Sequence, residues 1–449
     1  MLLILGAGIA GVSLAYHLAV RRGVRNILLL DERPPLTLTS DKSTEAYRNW
    51  WPGPDGAMIA LMNRSIDLLE ELAEESKERF HLNRRGYLFV TGQAERIAQW
   101  RRAAESAVRM GAGALRLHAD TSGGYRPAPA EGWRGQPDGA DLITDRALLR
   151  RHYPCLSGRV AAALHVRRAG WLSAQQLGMY LLEQARAAGV EIRRGRAVRI
   201  AHSQNRVRAV HLESGERLPV ERLVLAPGPF LRPLAAQLGA DLPVVTERHL
   251  KIAFEDRLGA IPREAPLLIW SDPQKLDWSP EERAFLEEAE ETRPLTGLLP
   301  SGVHTRPEGG ADSRSALALW EYRTPVETPV FPVPGDDLYP EVALRGLEAL
   351  LPAVRAYRER LPRPRVDGGY YVKTPENRPL IGPLPVEGAY VIGALSGYGI
   401  MASQGAADLL AAHLTGERLP SYAPAFHPRR YEDPAYRRKL ASWREEWQL

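Results

Sequence analysis

The chain has a single cysteine, Cys155, among 449 residues. That excludes an intramolecular disulfide, a cysteine-ligated iron–sulfur cluster and a multi-cysteine zinc site, and it suits a reducing cytoplasm. Histidines number only 11, and they do not cluster: His249 has no second histidine at ligand spacing, and His81, His152 and His165 lie apart. No metal is expected. Apolar runs of membrane length are missing, so no membrane span is expected. The opening "MLLILGAGIAGVSLAYHLAV" lacks a basic leader and is broken by glycines, so it reads as neither signal peptide nor span. Blocks of like charge are missing too. The formal charge of +5 is spread over an arginine-rich, lysine-poor surface with almost as many acids, which argues against a nucleic-acid partner. Internal repeats and low-complexity tracts are not found. What is left, 44% hydrophobic and 25% charged, is the composition of a globular protein long enough for two or three domains.

What is present begins in the first thirty residues. Leu2 to Leu5 read as a buried parallel strand, and "GAGIAG" turns directly into a helix that runs to about Arg22. Gly23 ends it, and "NILLL" is a second strand, followed by Asp31. This is the dinucleotide fingerprint in its required setting. Gly6 permits the tight turn, Gly8 lets backbone approach a pyrophosphate, and Gly11 lets helix pack on strand; the helix amino end, with Ile9 and Ala10, then faces the phosphates. Asp31, with Glu32 beside it, would bind ribose hydroxyls and repel a 2′-phosphate. These residues do not distinguish FAD from NAD.

The polar loop "TSDKST" (39–44) can offer hydroxyls and amides to phosphates through Ser40, Lys42 and Ser43. A helix from about Gly56 to Arg79 follows, then a strand in "RRGYLFVTG" (84–92), an amphipathic helix over 93–117 and a Gly/Pro-rich stretch at 122–139. Residues 170–200 read as helix then strand, and "ERLVLAPG" (221–228) as a buried strand ending at Gly228. From about 229 to 365, alternating segments such as "RHLKIAF" and "ALALWEYRT" suggest an antiparallel sheet. Within it, 271–315 is a charged excursion with the acidic helix "PEERAFLEEAEE", either a solvated surface helix or a mobile lid. Residues 374–420 read as strand, turn, the strand "AYVIGA", and a glycine turn "SGYG" opening a long helix whose amino end is an anion site. The expected fold class is α/β, with α+β character overall. It comprises a discontinuous Rossmann-like cofactor domain of residues 1–83, 148–228 and 366–420, and an antiparallel-sheet substrate domain of 84–147 and 229–365. The tail, 421–449, reads as a helix packed on the body or on a second subunit, or as a docking element.

"GAGIAG…D", "GYLFV", "GWLSA", "RLVLAPG", "TPENRPLIG" and "GALSGYGIMASQGAADLLA" occur together in an order that resembles the D-amino-acid oxidase-like family of FAD-dependent oxidoreductases. Sarcosine oxidase, glycine oxidase and dye-linked L-proline dehydrogenase are relatives, and "KSTEAYRNWW" looks closest to the last. The resemblance covers nearly the whole chain. It implies an extended FAD with adenine by the first glycines and isoalloxazine under "SGYGI". The implied contacts are Gly6, Gly8, Ile9, Ala10, Gly11, Asp31, Glu32, Ser40, Lys42, Ser43, Val198, Gly228, Gly397, Tyr398, Gly399, Ile400 and Met401. The amino end of the last helix would favour the negative charge of reduced flavin. Positions at which relatives attach flavin through cysteine or histidine correspond to Gly369 and Asp41, so noncovalent FAD is expected. The lysine that promotes reaction with oxygen corresponds to Ala318, which leaves oxygen and a quinone or dye equally open as electron acceptor. The family's carboxylate-binding cation in the last helix corresponds to Met401.

One stretch poses a separate question. "TEAYRNWWPG" (44–53) sets a single Arg48 between Tyr47 on one side and Trp50 and Trp51 on the other. A substrate with a carboxylate at one end and an apolar body would use such a fork and wall. An arginine stacked on rings at a domain junction is the other reading. With Met401 in place of the family's cation, Arg48 is left as the carboxylate partner, and the resemblance puts it on a helix that approaches the flavin. Tyr322 on "ALALWEYRT", Tyr371 before the last strand and Tyr398 in the flavin turn would then form an aromatic cage for an amine. The expected activity is oxidation of the C–N bond of a small amine or amino acid, a secondary amine such as proline or an N-alkyl amino acid, by hydride transfer to flavin N5. A hydroxy-acid oxidoreductase on the same scaffold would need a base that no histidine evidently supplies. A noncatalytic flavoprotein scaffold is the third reading, and a homo-oligomer is compatible with all three.

Overall fold

Four aliphatic residues in a row, Leu2–Leu5, can be hidden only where both faces of a strand are covered, and this strand lies inside a six-stranded sheet. The order is Leu380–Pro383, Ala389–Gly393, Arg222–Leu225, Leu2–Leu5, Ile27–Asp31, Glu191–Arg194. All neighbours are parallel except the antiparallel pair at the Leu380–Pro383 edge. The computed structural model describes residues 1–51, 53–120, 124–360 and 362–443. Alternate side chains feed opposite layers. Ile4, Leu29 and Val224 share a core with the helices Ile9–Tyr16, Ala57–Glu75, Ala174–Ala187 and Gly399–Thr415. Leu3, Leu5, Leu28, Leu30, Leu223 and Leu225 pack instead on a three-stranded meander, Ala197–Ser203, Arg206–Leu212 and Arg217–Pro219.

A second sheet has nine strands in the order Arg365–Lys373, Val245–Glu255, Ser315–Leu319, His304–Pro307, Leu267–Trp270, Tyr87–Thr91, Ala162–Val166, Ala140–Ile143, Leu115–His118. It is antiparallel but for Leu267–Trp270 with Tyr87–Thr91 and Leu115–His118 with Ala140–Ile143. Two of its strands, Ala162–Val166 and Arg365–Lys373, come from stretches that the sequence reading gave to the other sheet's domain, because their ladders run to Tyr87–Thr91 and Val245–Glu255. One face, with Tyr87, Phe89, Leu267 and Ile269, belongs to the core shared with the four helices. The other, with Leu88, Ile252, Leu268 and Ala318, packs under the helix Tyr339–Leu347.

The structure shortens two expected elements. The helix expected over 93–117 is Ile97–Arg109, since Gly111 and Gly113, both at φ +95°, end it and Leu115–His118 is a strand. The strand in "ALALWEYRT" is Ser315–Leu319, so Tyr322 falls beyond it. The charged excursion forms the helix Pro280–Glu288, opened by a Ser279/Glu282 capping box. It buries Trp278, Leu286 and Leu295 on the Tyr339–Leu347 side of the sheet. Residues 421–443 of the tail pack on the body, with Phe426 fully buried in the core of the four helices; 444–449 lie outside the described residues. Among the described residues no helix is long and apolar enough to cross a membrane.

Candidate active site

A groove with about 910 Å³ of free space runs along the carboxyl ends of the parallel strands. That is where open α/β sheets bind ligands. It passes from Gly6, Gly8 and Asp31 by Ser40, Ser43 and Gly228 to Tyr371, Gly397, Gly399 and Ile400. At its first end Gly6 has φ +107°, and a Cβ there would overlap the Ala226 carbonyl. A Cβ on Gly11 would overlap the Gly6 carbonyl, and one on Gly8 would come within 3.3 Å of Ser40 Oγ. The glycines therefore hold strand, helix and loop in contact. The Ile9 amide donates to Ser40 Oγ at 2.9 Å. Ala10, in the same first turn, also lines the groove, and first-turn amides have no acceptor within their own helix. Asp31 holds the turn through both oxygens, accepting from the Ala7 amide at 2.7 Å and the Arg33 amide at 2.9 Å. These features fit an extended dinucleotide.

At the second end a Cβ on Gly397 would strike the Tyr371 ring. Tyr398 turns its side chain away: the hydroxyl donates to the Asn377 carbonyl at 2.7 Å and the ring meets Trp51 edge-on at 5.1 Å. Met401 is buried, and its carbonyl accepts from Ser65 at 2.5 Å. Glu32 borders a neighbouring hollow beside Asp31, and Lys42 pairs with Asp41 at 2.6 Å and Asp367 at 3.0 Å. Val198 does not join the others. It is exposed on the meander, where a bulge between Ala197 and Arg199 turns it outward. Gly369 lies against Thr39, Asp41 is taken by Lys42 and Gln175, and Cys155 belongs to the far core, where burial pushes its thiol up to about 11.

Arg48 sits on an extended ribbon rather than the expected helix. Ala46–Arg48 pairs antiparallel with Ala169–Trp171, and the Asn49 amide continues the ladder to the Arg168 carbonyl at 3.0 Å. A run rich in aromatics suits a pleated, buried surface. The guanidinium is buried, donates from Nε to the Trp50 carbonyl at 3.1 Å, and stacks 4.7 Å from the Trp51 ring and 5.5 Å from Tyr87. Burial draws its pKa down, while Tyr87 and Glu321 act the other way. Tyr371 stacks face to face on His249 at 3.7 Å. Tyr322 is not in this group: it stacks on Tyr339 and packs on Trp320 in the far core.

Sequence reasoning missed the charges beside Tyr371. Lys373 Nζ lies 2.8 Å from Glu247 Oε2, Glu247 Oε2 lies 3.2 Å from His249 Nε2, and His249 Nδ1 lies 3.0 Å from Glu321 Oε1. Burial pushes the Glu321 carboxyl up, but His249, Lys373 and His304 outweigh it and hold it at about 2. Burial likewise lowers His249, and the two carboxylates bring it above its ordinary value. The signal was in "TERHLK": charged residues at 247, 249 and 251 share one face of a strand in an otherwise apolar sheet. Lys251, the last of them, donates to the Ser43 carbonyl at 2.8 Å. Ala318, aligned with the family's oxygen-reactive lysine, points into the far core beside Ile252.

A family model described as "DAO: FAD dependent oxidoreductase" matches residues 1–413. Among solved structures the chain is similar to L-proline dehydrogenase from P. horikoshii, at 18% identity over 96% of this chain and 97% of that one, with a TM-score of 0.73. It is similar to iminodiacetate oxidase from Chelativorans sp. BNC1 at 18% identity, 95% and 99% coverage and a TM-score of 0.69. Glycine oxidase from Geobacillus kaustophilus gives 16% identity, 93% and 95% coverage and a TM-score of 0.70. At such identities the likeness is one of fold. No curated protein matches the chain.

Proposed function

The chain belongs to the DAO family of FAD-dependent oxidoreductases, and from that premise we propose that it oxidises the C–N bond of a small amine or amino acid, a secondary amine such as proline or an N-alkyl amino acid. The observation that carries this is Arg48. One buried guanidinium stacks on Trp51, and Trp51 touches Tyr398 at the second glycine turn, so the cation stands one ring away from that turn. On this reading the six-stranded sheet with its helices is the cofactor domain and the nine-stranded sheet the substrate domain. FAD would be held without a covalent link, by Gly8, Ile9 and Ala10 at the pyrophosphate, Asp31 at the ribose, and Gly397, Gly399 and Ile400 at the ring system. Bound there, it supplies the acceptor for a hydride from the carbon bearing nitrogen. The chain's own part is to take the substrate carboxylate on Arg48, wall the apolar body with Trp51, Tyr87 and Tyr371, and exclude water. No strong base is needed if the amine binds neutral. The final electron acceptor is oxygen, a quinone or a dye.

The second reading, a hydroxy-acid oxidoreductase, needs a group to take the hydroxyl proton, and His249 meets a carboxylate on each ring nitrogen. Anaerobic titration of the FAD-loaded protein with L-proline, sarcosine, glycine and lactate separates the two. Bleaching of the flavin band by an amine supports C–N oxidation, bleaching by lactate alone replaces it, and no bleaching removes both. The speed of recolouring in air divides an oxidase from a dehydrogenase. The cofactor end has its own test. Asp31→Asn should weaken FAD binding about five- to tenfold, because a charged acceptor becomes a neutral one. Flavin fluorescence released on dilution measures it, and an unchanged dissociation constant would remove Asp31 from the cofactor's contacts.

A further inference from the structure

The "TPENRPLIG" stretch carries a buried cation that the groove does not use. Arg378 lies in the turn before Leu380–Pro383, where the Thr374 hydroxyl fixes its backbone at both ends, accepting from its amide at 2.9 Å and donating to its carbonyl at 2.7 Å. Its side chain is 2% exposed. Nη2 donates to Asp55, and the guanidinium stacks 4.5 Å from the Trp443 ring. Nε and Nη1 are buried without a hydrogen-bond partner among the described residues. Unpaired donors on a buried cation are costly unless something answers them. Arg378 lines a hollow with about 1210 Å³ of free space, together with His413, His427, Arg429 and Lys439. His413 Nε2 is also buried without a partner among the described residues. The two imidazoles stand 6.2 Å apart beside Gly382, where a Cβ would come 3.4 Å from His427 and 3.7 Å from His413 Nε2. His427 Nδ1 accepts from the Arg429 amide at 3.0 Å, which leaves the proton of the neutral ring on Nε2.

We propose that this hollow binds the phosphate group of a small phosphate monoester, at a site separate from the cofactor groove, with which it shares none of its lining residues. A carboxylate is met by one edge of a guanidinium. Here the donors come from the turn at Arg378, from the helix Gly399–Thr415 through His413, and from His427 beyond it, so a ligand with several oxygens meets them together. The acids of the lining are already taken: Asp55 by Arg378 and Lys439, and Asp433 by the Ala435 amide that it caps. Glu376 answers Arg430 in the same way, which leaves Arg378 and Arg429 to face an anion. Arg429 is exposed, so the hollow opens to solvent there and has room for the rest of an ester. Arg378 follows Asn377, whose carbonyl receives Tyr398, and the occupant is thereby tied to the second glycine turn rather than to the substrate.

Isothermal titration of the FAD-loaded protein tests this, with ionic strength held constant by chloride and bound FAD keeping phosphate off the first glycine turn. Glycerol 3-phosphate should bind once per chain and raise the melting temperature, inorganic phosphate should bind more weakly, and acetate should give no saturable heat. Arg378→Met should weaken glycerol 3-phosphate about 10- to 100-fold and retain FAD, since Asp55 keeps Lys439 and the Ala57 amide. Should that variant fail to fold, His413→Phe keeps the ring, breaks no hydrogen bond among the described residues, and should weaken the ester about three- to tenfold. Unchanged affinity in a folded Arg378→Met or His413→Phe protein overturns the proposal, as does a parent that binds neither phosphate. Acetate bound as tightly as inorganic phosphate would make this a carboxylate site. Inorganic phosphate bound as tightly as the ester would overturn the monoester and assign the hollow to the free anion. None of these readouts depends on what the groove oxidises.

Discussion

Arg48→Ala should leave FAD bound and lower kcat/KM for carboxylated substrates by about 30- to 1,000-fold, the equivalent of about 2 to 4 kcal/mol. The size follows from burial. Trp51 and Tyr87 exclude water from the guanidinium, so a carboxylate paired there exchanges its hydration for a charge-assisted contact. Removing the partner leaves the substrate anion against rings. A matched amine without a carboxylate should lose little, which separates recognition from general damage. Arg48→Lys keeps the charge but neither the planar fork nor the stack, and should recover only part of the rate. Loss of FAD from Arg48→Ala, with affinity for carboxylated substrates untouched, would assign the residue to the cofactor instead.

Glu376→Gln should destabilise the protein by about 3 to 5 kcal/mol, measured by urea unfolding, because it strands a buried cation. Arg430 and Glu376 pair at 2.7 Å with side chains 2% and 0% exposed, and the Tyr431 and Tyr436 hydroxyls donate to the same carboxylate at 2.9 and 2.8 Å. Arg430 also donates to the carbonyls of Pro379 and Arg378. The tail thereby pins the turn whose Asn377 carbonyl receives Tyr398, the residue between Gly397 and Gly399 of the second glycine turn. FAD release should accordingly come at lower urea in the variant. Adding Arg430→Met should return part of the lost stability, since it removes the uncompensated buried charge. Unfolding at the parent's urea midpoint would show that the pair contributes little.

The two glycine turns were legible because each is a local pattern: spacing, flanking strands and, at the first, Asp31 lie within one short stretch. Arg48 was legible as a walled cation because one of its rings, Trp51, is a sequence neighbour; the other, Tyr87, comes from a distant strand. The strand of Arg48 was not, since the partner Ala169–Trp171 is far along the chain and turns a helix-like neighbourhood into a ribbon. Tyr322 and Glu321 lie just past the end of Ser315–Leu319, where strand alternation no longer sets a side chain's face: Tyr322 joins the far core and Glu321 meets His249. Val198, expected as a cofactor contact from the resemblance alone, lies exposed at a bulge of the meander. The His249 row needed three strands in register before its charges could meet, and no local pattern supplies that.

The strand order has a consequence for synthesis. Leu2–Leu5 leaves the ribosome long before one of its two neighbours, Arg222–Leu225, and that strand in turn awaits Ala389–Gly393. Tyr87–Thr91 likewise waits for Leu267–Trp270 in the other sheet. Neither sheet can close on a half-made chain, so vectorial, unit-by-unit folding is denied to this molecule. Its high contact order makes folding a late event, during which four aliphatic residues with open edges stay exposed to other nascent chains. Slowed translation or a chaperone that shields the amino-terminal strand should therefore raise the folded yield more than any substitution in the groove.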